Sequence, residues 1–301
     1  MLTGRRFIFV GGDLRQLEVI QQVVDNDATV TLVGFELCNR TFTDTTHADL
    51  TVETFAGADA LVLPVAGMAE DGSVQTRFSR EPLILNEHHF AALKPGAKVF
   101  TGIARNRLES ICSEYGLCLV KLMEQDEVAI LNSIPTAEGA IALAMEKTEV
   151  TIHDSNVVVL GFGRCGKTLS RTLHALGAHV RVVAKPLPEL ARIREMGMQD
   201  VPFERLLEAV QDADIVFNTI PALVLPAAIL KEMRLDAVII DIASAPGGTD
   251  FRYAERRGMT AILAPSLPGI VAPKTAGKII AESICRLMNV KDAEPEVHEK
   301  G

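Results

Sequence analysis

The stretch NVVVL-GFGRCG-KTLSRTLHAL-GAHVRVV, residues 156–183, constrains the fold more than any other part of the chain. An apolar strand runs into Gly161-Phe162-Gly163-Arg164-Cys165-Gly166. A helix follows with Leu169, Leu173 and Leu176 on one face, and then a second strand. Strand, glycine turn, helix and strand in this order predict a parallel βαβ unit. Each glycine has a physical task. Gly161 permits the tight turn, Gly163 lets backbone N–H groups approach a pyrophosphate at the positive helix end, and Gly166 lets the helix pack against the strand. Phe162, Arg164 and Cys165 complete the loop.

In such units an acidic residue about 20 residues on binds the ribose hydroxyls of NAD. Here that position falls at Ala184, followed by Lys185. No carboxylate repels a 2′-phosphate and an ammonium attracts one, so the cofactor expected is NADP, with NAD the second choice. Thr219 and Pro221, after the strand Ile215–Thr219, are expected on the nicotinamide side.

The alternation extends through the chain in two passes. Strands are expected at Phe7–Val10, Val30–Gly34, Ala60–Val65, Val99–Ile103, Leu117–Leu122 and Val128–Leu131, with helices at Leu14–Val24, Leu83–Leu93 and Arg107–Tyr115. The polar stretch 35–54 has no clear assignment. Ala66–Ser79 reads as a long loop at a strand end, where function tends to sit. Pro135 suits a first helical turn, so Thr136–Lys147 is expected as the helix leading into the second set. That set has strands at Ala178–Val183, Ala237–Asp241 and Thr260–Leu263 besides the two flanking the glycine loop and the nicotinamide side. Its helices are Lys167–Leu176, Pro188–Met196, Phe203–Val210 and a closing helix Thr275–Leu287. The expected fold class is α/β with two doubly wound parallel-sheet domains, the C-terminal one a Rossmann NAD(P)-binding domain. The expected boundaries are residues 1–135 for a substrate-side domain and 136–290 for the dinucleotide domain. The final helix, 275–290, could return to the first domain, and 291–301 is expected to be a disordered tail.

A net charge of −9 argues against a nucleic-acid partner. The five cysteines have no metal or disulfide spacing and read as free thiols of a reducing cytoplasm. No secretory h-region or uninterrupted membrane-length apolar run is present. His88-His89 lacks a third ligand at suitable spacing, so no metal is expected.

Three further motifs carry candidate chemistry. Gly11-Gly12-Asp13-Leu14-Arg15-Gln16 turns from a strand into a helix. Asp13 suits a cap, and Arg15 in the first turn opposes the helix dipole, which suggests a use on an anion. Asp241-Ile242-Ala243-Ser244-Ala245-Pro246-Gly247-Gly248-Thr249-Asp250-Phe251 leaves a strand, and Leu267-Pro268-Gly269-Ile270-Val271-Ala272-Pro273-Lys274-Thr275-Ala276-Gly277 precedes the last helix. Both are expected at the carboxyl edge of a sheet, where open α/β folds bind ligands.

With these four motifs together, nearly the whole chain resembles the A-subunit family of dipicolinate synthase, whose architecture is similar to 2-hydroxyacid dehydrogenases and adenosylhomocysteinase. The resemblance implies NADP-dependent oxidation of dihydrodipicolinate, formed from 4-hydroxy-tetrahydrodipicolinate of the lysine pathway, to dipicolinate during sporulation. It also implies a second subunit of flavoprotein-like fold, an oligomeric assembly, and a place in the mother-cell cytoplasm. The resemblance assigns no catalytic acid or base. From the substrate's two carboxylates, cations and N–H donors are expected in its cleft. Arg15 and Lys274 lead, followed by Arg105, with Gln16, Asn132, Ser133, Ser244, Gly247 and Gly248 as hydrogen-bonding residues. Asp13 and Lys274 are the catalytic candidates, Asp13 as proton acceptor. Domain closure about the connecting and final helices would exclude water. Two other readings stay open: another NADP-dependent oxidoreductase of a small acid, and a non-catalytic nucleotide-binding regulatory subunit.

Overall fold

The computed structural model describes residues 1–289. The chain divides into two compact units, one of residues 1–129 together with the helix from Pro273 onward, the other of residues 130–272. The change of unit falls inside a helix, Asp126–Lys147, rather than at Pro135.

The first unit holds strands β1 (Arg6–Val10), β2 (Thr29–Val33), β3 (Thr45–His47), β4 (Ala60–Val62), β5 (Ser73–Val74), β6 (Leu83–Ile84), β7 (Lys98–Thr101) and β8 (Cys118–Lys121). Six of them form a parallel sheet in the order β3-β2-β1-β4-β7-β8, and β5 and β6 make a separate antiparallel pair. The second unit holds β9 (Asn156–Leu160), β10 (His179–Ala184), β11 (Gln199–Pro202), β12 (Ile215–Asn218), β13 (Val238–Asp241) and β14 (Thr260–Leu263), ordered β11-β10-β9-β12-β13-β14 and parallel throughout. Both six-stranded sheets therefore have the same doubly wound order. In each, the order reverses beside the first strand, between β1 and β4 and between β9 and β12. Ligands of open α/β sheets sit at such switch points.

The central strands are apolar along their whole length because both faces are covered. In β1, Phe7 and Phe9 join the core beneath the helices Leu14–Asp25 and Pro273–Asn289, while Ile8 and Val10 enter the opposite core with Leu61, Val99 and Phe90. In β9, Val157 and Val159 face one core and Val158 and Leu160 the other. Each such fully buried side chain contributes about 1.5–3 kcal/mol.

The last helix completes the first unit. Ile280, Ala281, Ile284 and Met288 pack with Val19, Ile20, Val23 and Val24 of the helix Leu14–Asp25. A β-carbon on Gly277 would lie 2.5 Å from the Arg15 carbonyl oxygen, so glycine is what allows the two backbones to meet. Lys98 Nζ donates to the Leu287 carbonyl at 2.9 Å, which fixes the far end of this helix at the amino edge of β7.

Several elements differ from expectation. Val128–Leu131 is helix, not strand, being part of Asp126–Lys147. Pro135 lies inside that helix and removes one N–H donor. The hydroxyls of Ser133 and Thr136 bond the carbonyls of Ile130 and Asn132, on either side of the one left without its helical donor. Length and apolar composition would let this helix cross a membrane, but half of its apolar window is buried within the protein. Leu83–Leu93 splits into β6 and a short helix Glu87–Ala91, and β3 and β11 have no counterpart among the expected strands. The expected tail 291–301 lies outside the described residues.

Candidate functional site

At the switch point of the second unit, a cleft of about 410 Å³ is lined by Gly161, Phe162, Gly163, residues 183–186, Glu189, Phe203, Ile220, Ala222 and Val224. Gly161 has φ +94°, a conformation open to glycine, and a β-carbon there would lie 2.5 Å from Thr219 Oγ1. Gly166 is buried against the Gly161 carbonyl oxygen, with no room for a side chain. Gly163, by contrast, faces open space: a β-carbon would meet nothing within 4 Å. It begins the helix Arg164–Ala175, and no side chain caps that end. An open cradle at an uncapped helix N-terminus fits a diphosphate.

The rim of this cleft carries charge. Arg164 and Lys185 are exposed, and Lys185 Nζ lies 4.8 Å from the Phe203 ring centroid. Ala184 ends β10 with no carboxylate. Glu189, which no motif in the sequence marks, faces the cleft, and Lys167 Nζ holds it at 3.1 Å while lying 5.3 Å from the Phe162 ring centroid. Cys165 is half-buried, and desolvation pushes its thiol up, with Arg164 opposing. Thr219 Oγ1 donates to the Leu160 carbonyl at 2.8 Å, and Pro221 is exposed.

The loop after β13 is built on a buried carboxylate. Asp241 accepts from the amides of Ala243 at 3.1 Å and Gly248 at 2.8 Å, and from Thr249 Oγ1 at 2.8 Å. The Gly248 carbonyl in turn accepts from the amides of Val224 and Leu225, both at 2.9 Å. Gly248 itself leaves no space for a side chain, because Asn218 Nδ2 would lie 2.6 Å from its β-carbon. The Gly247 amide donates to Ser244. The expected roles of Gly247 and Gly248 as substrate donors are thus corrected: both amides are committed to the loop, which braces the wall of the cleft. Ser244 is exposed at its tip.

In the first unit the β1–β4 switch point holds a smaller cleft of about 250 Å³, lined by Gly12, Asp13, Arg15, Pro64, Ala66, Gln75, Thr76 and Arg77. The long loop after β4 closes over the glycine turn: Gly12 N–H donates to the Gln75 carbonyl at 2.9 Å, and Arg77 N–H to the Gly12 carbonyl at 2.8 Å. Arg105 Nη1 bonds the carbonyls of Ala66 and Met68, so it supports the loop. Asp13 caps the helix Leu14–Asp25 through the Arg15 amide at 2.9 Å. The same carboxylate takes Arg15 Nε at 3.0 Å and Nη2 at 2.6 Å. This forked pair makes Asp13 the residue that positions Arg15. Gln16 is buried, and its Nε2 has no hydrogen-bond partner.

Lys274 is exposed in the first turn of the last helix, one turn before Gly277 meets Arg15. Of Asn132 and Ser133, only Ser133 needs correction, because its hydroxyl is committed within the protein. Both lie within the long helix, in the second unit, and Ser133 is buried with its hydroxyl 2.6 Å from Thr168 Oγ1 of the glycine-loop helix. Ser133 pins two helices together. The residues missed by sequence reasoning, Gln75, Thr76 and Arg77, sit in the loop it flagged; only the pairing with Gly12 brings them to the cleft.

Two doubly wound units, one with a glycine-loop dinucleotide cleft, define the dehydrogenase class of α/β protein. Residues 6–123 match the N-terminal domain of the dipicolinate synthase A-subunit. Residues 136–246 match the NAD binding domain of D-isomer specific 2-hydroxyacid dehydrogenases. The dipicolinate synthase A-subunit of Bacillus subtilis (strain 168) is 45% identical over 98% of this chain and 99% of its own. The crystal structure of the dipicolinate synthase A-subunit from Bacillus halodurans superposes with a TM-score of 0.94 at 45% identity, covering 97% of this chain and 100% of that one. That of the Bacillus subtilis A-subunit gives 0.91 at 45% identity over 96% and 97%. The chain belongs to the A-subunit family of dipicolinate synthase, and carries its nicotinamide-cofactor domain.

Proposed function

We propose that the protein oxidises dihydrodipicolinate to dipicolinate with NADP⁺, as the A-subunit of a two-subunit dipicolinate synthase. The observation that carries the nucleotide half of this reading is the second unit's cleft, where an open, uncapped glycine cradle stands beside a strand end bearing Lys185 and no carboxylate. Gly161, Gly163 and the first helical amides would hold the diphosphate, and Lys185 a 2′-phosphate. When bound, the nicotinamide supplies a two-electron acceptor.

The reaction balances as dihydrodipicolinate plus NADP⁺ giving dipicolinate, NADPH and one proton. It creates an aromatic ring, so orientation and charge neutralisation are the chain's main tasks. The first unit's cleft supports the orienting task with Arg15, held in place by Asp13, and the last helix carries an exposed cation, Lys274. Family membership supports a second subunit, a place in the sporulating mother-cell cytoplasm and an oligomeric assembly.

The test mixes the chain with the lysine-pathway precursor and NADP⁺, with and without the second subunit, and follows dipicolinate and NADPH by absorbance. Equimolar appearance of both is expected. Dipicolinate formation without NADPH would reduce the chain to a regulatory nucleotide binder.

A further inference from the structure

The two guanidiniums lining the first unit's cleft carry unequal obligations. Arg15 is buried, and Asp13 takes its Nε and Nη2. Together the two residues sum to zero charge and present the remaining Nη1 as a donor. Arg77 is exposed, and its side chain has no hydrogen bond or ion pair among the described residues. Asp13, Arg15 and Arg77 are the charged residues lining this cleft, so its net positive charge is that of Arg77.

The backbone beneath Arg77 is fixed on both sides. Its own amide donates to Gly12, the neighbouring Gln75 carbonyl accepts from Gly12, and Thr76 Oγ1 donates to the Gly34 carbonyl at 3.2 Å. A guanidinium on a pre-ordered backbone loses little freedom when it pairs, and its planar fork matches a carboxylate.

We propose that Arg77 is the specificity-determining cation of this cleft: it pairs with one carboxylate of a small cyclic dicarboxylate, while the Asp13–Arg15 pair hydrogen-bonds the ligand without adding net charge. This rests on the functional reading above and adds to it the residue that selects the dianion. Lys274, on the last helix, is not among the residues that line this cleft.

The experiment is calorimetric titration of the full chain, saturated with NADP⁺, using pyridine-2,6-dicarboxylate and pyridine-2-carboxylate. Arg77→Gln, Arg77→Lys and Arg80→Gln are compared with the wild type. Arg80 is an exposed residue of the same loop outside the cleft lining, so it controls for general surface charge. Truncating an exposed, unbonded side chain leaves the backbone bonds intact, and thermal melting verifies the fold. Arg77→Gln is expected to weaken the dicarboxylate at least tenfold and to narrow its advantage over the monocarboxylate. Arg77→Lys should recover part of the loss, and Arg80→Gln should match the wild type. Undiminished dicarboxylate binding by Arg77→Gln overturns this proposal alone. No uptake by the wild-type chain, either alone or with the second subunit present, overturns the functional reading and this proposal with it.

Discussion

The carbonyl oxygen of Gly161 occupies the space that a β-carbon on Gly166 would need. The second contacting glycine of the loop is thus required by the protein's own backbone, while Gly163 stands clear for a ligand. In Gly166→Ala the helix must shift away from the loop. Overpacking of this kind costs about 1–3 kcal/mol, so a lower melting temperature and at least tenfold weaker NADP⁺ binding by calorimetry are expected together.

Lys185 should set the choice between the two nicotinamide dinucleotides. Lys185→Ala removes the ammonium beside Phe203 and leaves the glycine cradle in place. A charge-assisted contact is worth about 1.5–3 kcal/mol, so NADP⁺ affinity should fall roughly tenfold or more while NAD⁺ affinity stays within about twofold. Equal losses for both would move the selection of the phosphate elsewhere.

Asp241 holds three donors in a buried site. Asp241→Ala strands all three, and each unsatisfied buried donor costs about 1–3 kcal/mol. Urea unfolding should show a loss of several kcal/mol, with Asp241→Asn intermediate.

Acid stability should depend on Asp59. Burial pushes its carboxyl up, but hydrogen bonds from Lys94, the Arg6 amide and Arg5 outweigh it and hold the group below the ordinary carboxylate value. A group lowered by folding adds stability that is fully present above its unfolded value and is lost as pH falls through the folded one. Melting temperatures recorded downward from pH 7 should therefore drop below about pH 4, and Asp59→Asn should flatten that part of the curve.

Much of this architecture can be read from residues alone, because parallel strands buried on both faces leave long apolar runs. The glycine loop is legible for the same reason: its neighbours on either side are unambiguous. The edge strand Thr45–His47 is polar and exposed, and β5 and β6 span two residues each, so none leaves a period to detect. Val128–Leu131 misleads because its β-branched, apolar run precedes Pro135, and the hydroxyls that make that proline tolerable act through the folded helix. The motif at Asp241–Phe251 stands out, yet its chemistry is internal, since a carboxylate's partners seven and eight residues away depend on how the loop closes. Arg77 comes to the cleft through a pairing of Gly12 with Thr76, which spacing does not reveal.

The helix Pro273–Asn289 seals the core of a unit whose other residues end at Ala129. On the ribosome, the nucleotide-binding half is fully translated before the half that precedes it can finish folding. Until the closing helix emerges, Val19, Ile20, Val23 and Val24 lack their cover. A stop codon just ahead of Pro273 would therefore injure the amino-terminal half most, leaving an intact dinucleotide module attached to an unfinished partner.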